Sequence, residues 1–447
     1  MLGRILITGG IYGAVALALS AYCGVFAKEK RVSENTEGKL QFLWELVIIS
    51  TSLYGYLYLT IIAPFGDAPD FEKMMERLLG QGFYGIYENG GITYPPVFQY
   101  LFFLLGKVMG LFHVPIDATK PAFSFCVKLP CILCVFLMAY LVYRTVRRHA
   151  EGRKRILILF LILWNPGYLF VTGYVCQVDA LYVFFMIVTV WLLMEGRLKL
   201  SYFTFAIAVL CKFQAVFITP VLAFAVIDRV ILRDFSRRRF FSHLGAGVAA
   251  LGCMILSYVP FCVRFSTGEV TAGGFYSNFA DTTAGFGKAS QNAYNFWTLV
   301  GYNEIPQTER FGVFSCRTWS GIFLVFLVLL TVFFYAKGKK DGSMYPMLAA
   351  LLVSGTFCFA VRMMSRYLYA APALLLLGYA RKPTGKRLAN AVATSVCFYL
   401  GTAVEYLVYP WRTYEKGMPV PALLSLFSIF CFGFLVYTIW SEIRDDG

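Results

Sequence analysis

Long apolar runs alternate with short polar segments along the whole chain. Many of the runs reach or approach the roughly 20 residues that cross a bilayer as a helix. The predicted membrane helices are residues 5–27, 41–63, 122–143, 155–172, 178–194, 200–212, 214–228, 243–263, 316–336, 345–363, 367–380, 388–408 and 420–440. About thirteen spans follow, so we expect an all-α fold, a polytopic transmembrane helix bundle in one integral membrane domain.

The composition supports a membrane protein. Of the 447 residues, 59% are hydrophobic, 18% are aromatic and 15% are charged, whereas a soluble domain has about 25% charged residues. The formal net charge of +15 would suggest nucleic acid as the partner of a soluble protein. Here most Lys and Arg residues fall in short loops between apolar runs, where they set the topology, so no nucleic-acid partner is expected.

Cysteine usage excludes a disulfide or zinc framework. Most of the twelve cysteines lie inside apolar runs, where cysteine behaves as a small hydrophobic residue. Cys131 and Cys134 lie within one predicted helix and have no His or Cys partners at zinc-ligand spacing. The sequence therefore predicts neither a structural metal nor a disulfide framework. The first run, 5–27, lacks a signal-peptide cleavage pattern and is interpreted as a retained helix.

The basic segments place one side of the bundle in the cytoplasm. Segments 28–39 and 144–155 fall on the same side if the N-terminus is outside and the C-terminus inside. Two long loops, about 64–120 and 264–314, then lie outside. Residues 95–111 are interpreted as an interfacial or re-entrant helix on the outer side, because a full crossing there would carry segment 144–155 outward. The function is therefore expected to face outward.

The first outer loop opens with a short amphipathic helix. Its apolar positions follow the i, i+3, i+4, i+7, i+8 spacing of one helix face, and they are Phe71, Met74, Met75, Leu78 and Leu79. Gly80 and Gly82 are expected to end this helix.

Two carboxylates, Asp67 and Asp70, lie at the start of this helix. Our hypothesis is that Asp67 is the catalytic base of a membrane-embedded sugar transferase. The alternative is that Asp67 only caps the helix, with Pro69 in the first turn and Asp70 at the third helical position.

Further polar residues lie at predicted outer ends of membrane helices, where charge costs several kcal/mol unless it faces a cavity or a partner. They are Gln177, Asp179, Lys212, Gln214, Arg362, Arg366 and Tyr367. Each has a simpler interpretation: Asp179 as a helix cap, Lys212 as a lysine that reaches toward the interface, and the arginines as partners of carboxylates or lipid phosphate. These alternatives do not explain why the carboxylates and cations share one membrane side.

Glycosyl transfer from a lipid phosphate needs this combination of groups. A carboxylate deprotonates or orients the acceptor hydroxyl. Cations stabilise the departing phosphate, on which negative charge grows in the transition state. Aromatic and aliphatic helix faces supply a groove for a polyprenyl tail.

The order of the motifs resembles a known superfamily. The motifs are Gly66-Asp67, the amphipathic helix, Tyr94-Pro95-Pro96, Asn165-Pro166, Gln177-x-Asp179, Lys212-x-Gln214, Asn292-Ala293-Tyr294-Asn295 and Arg366-Tyr367-Leu368-Tyr369. Together they resemble the GT-C superfamily of polytopic glycosyltransferases, and within it the bacterial mannosyltransferase-like proteins related to the second mannosyltransferase of GPI-anchor synthesis. The resemblance covers a core of residues 41–380, preceded by an extra helix and cytoplasmic loop (1–40) and followed by C-terminal helices (381–447).

The resemblance implies a GT-C fold, a polyprenyl-phosphate-linked sugar as donor, inversion at the anomeric carbon and an acidic residue of the first outer loop at the active site. By motif position that residue is Asp67, with Asp70 as the second choice. Many relatives carry a His-Glu pair before the Arg-Tyr motif, whereas this chain has Met364 and Ser365, which leaves Arg366 as the phosphate contact. Some superfamily members use a divalent cation, but two carboxylates do not require one, and no cofactor is otherwise expected.

The sequence thus predicts a mannosyltransferase-like enzyme of the bacterial plasma membrane, with a lipid- or envelope-linked acceptor on the outer face. Asp67 is the expected base, Asp179 shapes the sugar or acceptor site, and Tyr94 and Gln177 line it. Lys212, Arg362 and Arg366 are expected to bind the donor phosphate. Two alternatives stay open: a flippase for a lipid-linked sugar, which should show broken helices in two repeats, and a non-catalytic assembly subunit.

Overall fold

A computed structural model describes residues 1–23, 34–63, 66–87, 94–149, 154–233, 235–271, 287–339, 342–409 and 418–446. Several predicted segments lie wholly or partly outside these residues, among them the cytoplasmic loop 28–39, the two outer loops 64–120 and 264–314, the basic segment 144–155 and the outer segment that follows residue 408.

The described chain is built almost entirely from helices. The first ten are α1 (Leu2–Tyr22), α2 (Glu34–Ile62), α3 (Ala68–Gln81), α4 (Pro96–Leu111), α5 (Pro121–His149), α6 (Lys154–Leu163), α7 (Pro166–Tyr168), α8 (Asp179–Met194), α9 (Leu198–Cys211) and α10 (Thr219–Val226). The others are α11 (Arg237–Cys262), α12 (Phe296–Leu299), α13 (Cys316–Lys337), α14 (Met344–Phe359), α15 (Ala370–Arg381), α16 (Gly385–Leu407) and α17 (Pro419–Asp446). The prediction of an all-α fold is confirmed.

Irregular helical turns interrupt this pattern. A π-helical turn at Leu169–Tyr174 follows α7, and a second one at Ile227–Leu232 follows α10. Residues Phe213–Ile218 and Ser365–Leu368 form 3₁₀ turns. Such interruptions leave backbone groups without a regular helical partner, so other donors or acceptors must satisfy them.

Within the described ranges, nine helical stretches are long and apolar enough to cross a membrane. They are Leu2–Tyr22, Leu40–Ile62, Pro121–Arg148, Lys154–Tyr174, Phe213–Leu232, Arg237–Cys262, Cys316–Lys337, Gly385–Leu407 and Pro419–Asp445. Four shorter apolar helices accompany them: α4, α8, α9 and α14. A multi-pass membrane protein is therefore confirmed, and the count of about thirteen spans stays a prediction.

Exposed apolar stripes indicate which helix faces meet lipid. On α11, four large apolar side chains recur at helical spacing and are each at least half exposed: Leu244, Val248, Leu251 and Ile255. On the surface of a soluble protein such a continuous stripe would be unusual. In a bilayer it is the expected lipid-facing surface.

The strands are two-residue pairs. Val263–Arg264 (β1) pairs antiparallel with Glu269–Val270 (β2), and Arg310–Phe311 (β4) pairs antiparallel with Phe314–Ser315 (β5). Ser290–Gln291 (β3) pairs in parallel with Met363–Met364 (β6).

Packing divides the chain into two compact units. Unit 1 comprises Met1–Tyr56, Cys134–Val171 and Lys288–Gly447, and unit 2 comprises Leu57–Leu133 and Thr172–Gly287. Each is described by itself below.

The core of unit 1 is formed by α14 and α15, whose side chains are almost all buried. A buried ion pair closes one end of this core: Arg387 donates to both carboxylate oxygens of Glu442, at 2.6 Å for the shortest contact. The same guanidinium donates to the carbonyls of Ser343 and Gly378. One arginine therefore joins α16 and α17 to the start of α14 and to the interior of α15.

A second core in unit 1 surrounds Trp297, which is fully buried with Ala289 and Cys316. Its indole nitrogen donates to the carbonyl of Phe359 at 3.0 Å. The Asn295 side chain caps α12 by accepting from the amides of Trp297 and Thr298. The segment that contains the Asn292–Asn295 motif is thus fixed by hydrogen bonds to α14 and to its own short helix.

In unit 2, α8 packs against α9, and α9 packs against α4 and α11. The amphipathic helix α3 lies on α4 and buries Phe71, Met74, Met75 and Leu78, as its apolar spacing predicts. It ends at Gly82 with φ +75°, whereas Gly80 lies inside the helix. Gly106 of α4 leaves the room that Met75 and Leu79 occupy, since an added Cβ there would meet each of them at 2.9 Å.

Candidate active site

The turn that carries Asp67 depends on a glycine. Gly66 has φ +89°, in the region that favours glycine, and a Cβ at this position would lie 1.7 Å from the carbonyl oxygen of Val175. Both the conformation and the space therefore require glycine here. As a result, the backbone before α3 lies directly against the segment that precedes α8.

Asp67 occupies the N-cap position of α3, but its side chain makes no capping hydrogen bond. Its main-chain oxygen accepts from the amides of Asp70 and Phe71, while its carboxylate Oδ2 accepts from Nε2 of Gln177 at 2.6 Å. The interpretation of the Asp67 carboxylate as a plain helix cap is therefore wrong. The carboxylate is half-buried and is held by an amide from another part of unit 2.

Gln177 comes from a strained segment just before α8. Its side chain is 1% exposed, and the preceding residue, Cys176, has φ +63°. Burial raises the pKa of the Cys176 thiol to about 12; the Lys128 ammonium opposes this shift and the Asp67 carboxylate adds to it. Cys176 is therefore a neutral thiol at physiological pH, within electrostatic range of both charges.

Asp179 and Lys212 form a buried ion pair in unit 2. Lys212 Nζ lies 2.5 Å from Oδ1 of Asp179, whose side chain is fully buried, and 5.6 Å from the centre of the Tyr182 ring. The N-cap of α8 is Val178, so the interpretation of Asp179 as a cap is wrong. Lys212 is also buried, so the interpretation of a lysine reaching toward the interface is wrong as well. Each side chain neutralises the charge of the other.

The remaining predicted residues of unit 2 are Asp70, Gln214 and Tyr94. Asp70 is exposed in the first turn of α3, and Gln214 is half-buried in the 3₁₀ turn after Lys212. The Tyr94 ring stacks on Phe98 at 4.2 Å. Its carbonyl accepts from the Tyr87 hydroxyl at 2.9 Å, so Tyr94 is fixed at the entrance to α4.

Three predicted residues lie in unit 1. Arg362 has φ +65°, and its Nε donates to Oε1 of Gln307 at 3.0 Å. Partial burial, and then the neighbouring Arg317 charge, lower the pKa of the Arg362 guanidinium, which stays protonated at neutral pH. Arg366 donates to the Tyr406 hydroxyl at 2.8 Å and lies beside the buried ring of Tyr367.

Two charged residues that contact the segments of predicted site residues are not among the sequence predictions. Lys128, inside α5, is 2% exposed and donates to the carbonyls of Ala63 and Gly173. Glu405, near the end of α16, accepts a hydrogen bond from the hydroxyl of Ser365. Both are single charges within apolar runs, a signal that the rule on intramembrane charge could have found. Glu405 thus places a carboxylate beside Ser365, the residue before Arg366.

The described residues contain no group of three or more His, Cys, Asp or Glu side chains that could hold a metal ion. Asp67 is engaged by Gln177, and Asp179 is engaged by Lys212. These residues do not fit a divalent-cation site, so we assign no reaction step to a metal.

The comparisons with known proteins agree with the resemblance drawn from the motifs. Residues 95–258 match the dolichyl-phosphate-mannose-protein mannosyltransferase family, which confirms the resemblance over that segment. No curated protein matches the chain.

Two solved structures resemble the chain over most of its length. The crystal structures of ArnT from Cupriavidus metallidurans, one bound to undecaprenyl phosphate and one in the apo state, give TM-scores of 0.48 and 0.49. Each is 13% identical in sequence and covers 90% of this chain and 77% of the ArnT chain.

Proposed function

We propose that this chain is a GT-C glycosyltransferase that moves a sugar from a polyprenyl-phosphate-linked donor to a lipid- or envelope-linked acceptor on the outer face of the membrane. The observation that carries the proposal is the position of the Asp67 carboxylate. The buried amide of Gln177 holds it at the N-terminus of α3, and it does not cap the helix. The match of residues 95–258 to the dolichyl-phosphate-mannose-protein mannosyltransferase family supports it.

In the proposed reaction Asp67 acts as the base. An acceptor hydroxyl attacks the anomeric carbon of the donor sugar and loses its proton to the carboxylate. The bond between the anomeric carbon and the phosphate oxygen breaks, and polyprenyl phosphate leaves with the electron pair. Gln177 fixes the carboxylate, so one oxygen stays oriented by the amide while the other can take the proton.

The candidate contacts of the donor phosphate are Lys212 in unit 2 and Arg362 and Arg366 in unit 1. Lys212 shares its charge with the buried carboxylate of Asp179. Arg362 donates to Gln307 and Arg366 donates to Tyr406, and guanidinium groups suit an anion such as phosphate. Asp179 then acts mainly by orienting Lys212, and Tyr94, Gln214 and Tyr367 are the proposed lining residues.

The test is sugar transfer in proteoliposomes. Purified protein receives radiolabelled polyprenyl-phosphate-mannose or polyprenyl-phosphate-glucose together with a crude extract of membrane and cell-wall acceptors. Asp67→Asn keeps the shape of the side chain and removes the base, and Glu76→Gln, an exposed position on the same helix, is the matched control. Transfer that is lost only in Asp67→Asn supports the proposal.

Other outcomes point elsewhere. Equal transfer in wild type and Asp67→Asn would remove Asp67 from the chemistry, and Asp70→Asn would then be tested. Movement of labelled donor between leaflets without transfer to any acceptor would replace the enzyme with a flippase.

A further inference from the structure

We infer that Lys128 is a positioning residue that joins the two backbone segments carrying Asp67 and Gln177 and so keeps the carboxylate in its working orientation. The effect on turnover rests on the proposed function, whereas the structural effect can be measured without it.

Lys128 lies in the first part of α5, and its ammonium is buried inside unit 2. The Nζ atom donates to the carbonyl oxygens of Ala63 and Gly173, both at 2.7 Å. A buried ammonium costs several kcal/mol unless hydrogen bonds replace its hydration. These two carbonyls supply that replacement, so the position of the ammonium and the positions of both carbonyls depend on each other.

Both carbonyls belong to places where the helical hydrogen-bond pattern ends. Ala63 follows the last residue of α2, and Gly173 lies in the last part of the π-helical turn. Carbonyls at helix ends lack intrahelical partners and need another donor. Lys128 supplies a donor to both ends at once.

Beyond these carbonyls the two segments meet at two described positions. Gly66 approaches the carbonyl of Val175 so closely that no Cβ would fit, and Asp67 then accepts from Gln177. The contacts therefore run in order from the two hydrogen bonds of Lys128 to the Asp67 carboxylate.

This order distinguishes a positioning lysine from one that only stabilises the fold. Both contacts of the ammonium lie four residues before a member of the Asp67–Gln177 pair. Removing the ammonium takes away a bridge between the two segments and leaves the Gly66–Val175 contact and the Asp67–Gln177 hydrogen bond in place. We therefore expect the carboxylate to lose its fixed orientation while the helices of unit 2 stay packed.

The first experiment measures transfer kinetics of Lys128→Met, which keeps an unbranched side chain of similar length and removes the donors. We expect kcat to fall about 10- to 100-fold, since small displacements of a reacting group cost that much, with a smaller change in KM for the donor. In an Asp67→Asn background the same change should cause no further loss. Lys107→Met, at an exposed lysine of α4, is the matched control and should keep wild-type kcat.

The second experiment needs no activity. Cys176 is 1% exposed and lies between Val175 and Gln177, so its alkylation by N-ethylmaleimide, followed by peptide mass spectrometry, reports whether the segments separate. We expect faster labelling in Lys128→Met and wild-type labelling in Lys107→Met. If the wild type transfers no sugar, the proposed function fails. The labelling experiment still tests whether Lys128 joins the two segments.

Lys128→Arg serves if the methionine variant does not fold, because it keeps a buried cation and its donors. Its kcat and its Cys176 labelling should lie between those of wild type and Lys128→Met. A Lys128 variant with a lower yield of folded protein but wild-type kcat and wild-type Cys176 labelling would overturn the inference and leave Lys128 as a purely structural residue.

Discussion

Gln177 Nε2 donates to Asp67 Oδ2 at 2.6 Å although 110 residues separate them in the chain. The local pattern predicts that the Asp67 side chain caps α3. In the structure its carboxylate instead accepts from Gln177, which lies outside that helix. The amide fixes one oxygen of the carboxylate. A residue with this geometry suits general-base catalysis better than helix capping.

Gln177→Glu should shift the pH dependence of transfer. Two carboxylates at this distance cannot both ionise readily, so the pair shares a proton and the pKa of the working base rises. Because the base must be deprotonated, the acidic limb of the kcat/KM profile should move to higher pH. The profile of Gln81→Glu, an exposed glutamine at the end of α3, should match wild type. An unshifted acidic limb in Gln177→Glu would show that Asp67 is not the titrating base.

Gly66→Ala should reduce both stability and transfer. The left-handed backbone costs a non-glycine residue about 1–2 kcal/mol, and the added Cβ would overlap the carbonyl of Val175. Gly80→Ala is the control, because this helical glycine has open space around its Cβ position and alanine there should stabilise α3 by about 0.5–1 kcal/mol. Thermal unfolding of both variants in detergent measures the difference. Equal melting temperatures would contradict the required contact.

Asp179→Asn, which breaks a buried ion pair, should destabilise the protein far more than Glu269→Gln, which breaks an exposed one. Removing one partner of a buried ion pair typically costs about 3–5 kcal/mol, and Lys212→Met should cost a similar amount. The double variant should lose less than the sum of the two, because no uncompensated charge remains. Glu269→Gln breaks the exposed pair with Arg264 and should cost at most about 1 kcal/mol. Additive losses in the double variant would show that the two groups do not depend on each other.

The proposed orientation can be tested by labelling single cysteines in intact cells. Asp70→Cys lies in the exposed first turn of α3 and should react with an impermeant maleimide added outside. Arg238→Cys, exposed at the start of α11 in a basic segment, should react only after the membrane is opened. The reverse pattern would place the Asp67 turn on the cytoplasmic side and contradict an outer-face transferase.

Local pattern predicted the helices well because each membrane helix satisfies its own backbone hydrogen bonds and needs only a long apolar run. The amphipathic spacing from Phe71 to Leu78 likewise predicted α3 and its buried face. The pattern could not show that the Asp67 side chain makes no capping hydrogen bond. The donor that it accepts from, Gln177, comes from another part of the chain. For the same reason it could not show that Lys212 is neutralised by Asp179.

The sequence by itself determined the class of fold, the helix that follows Asp67 and the group of polar residues worth testing, because hydropathy and helical periodicity act over short stretches of chain. Only the tertiary structure decided which polar groups pair and which carbonyls Lys128 joins. The physical reason is that a buried charge takes its partner from whatever the fold brings within hydrogen-bond distance. Lys128 reaches the carbonyls of Ala63 and Gly173, and Gln177 reaches Asp67, although the partners of each hydrogen bond lie far apart in the chain.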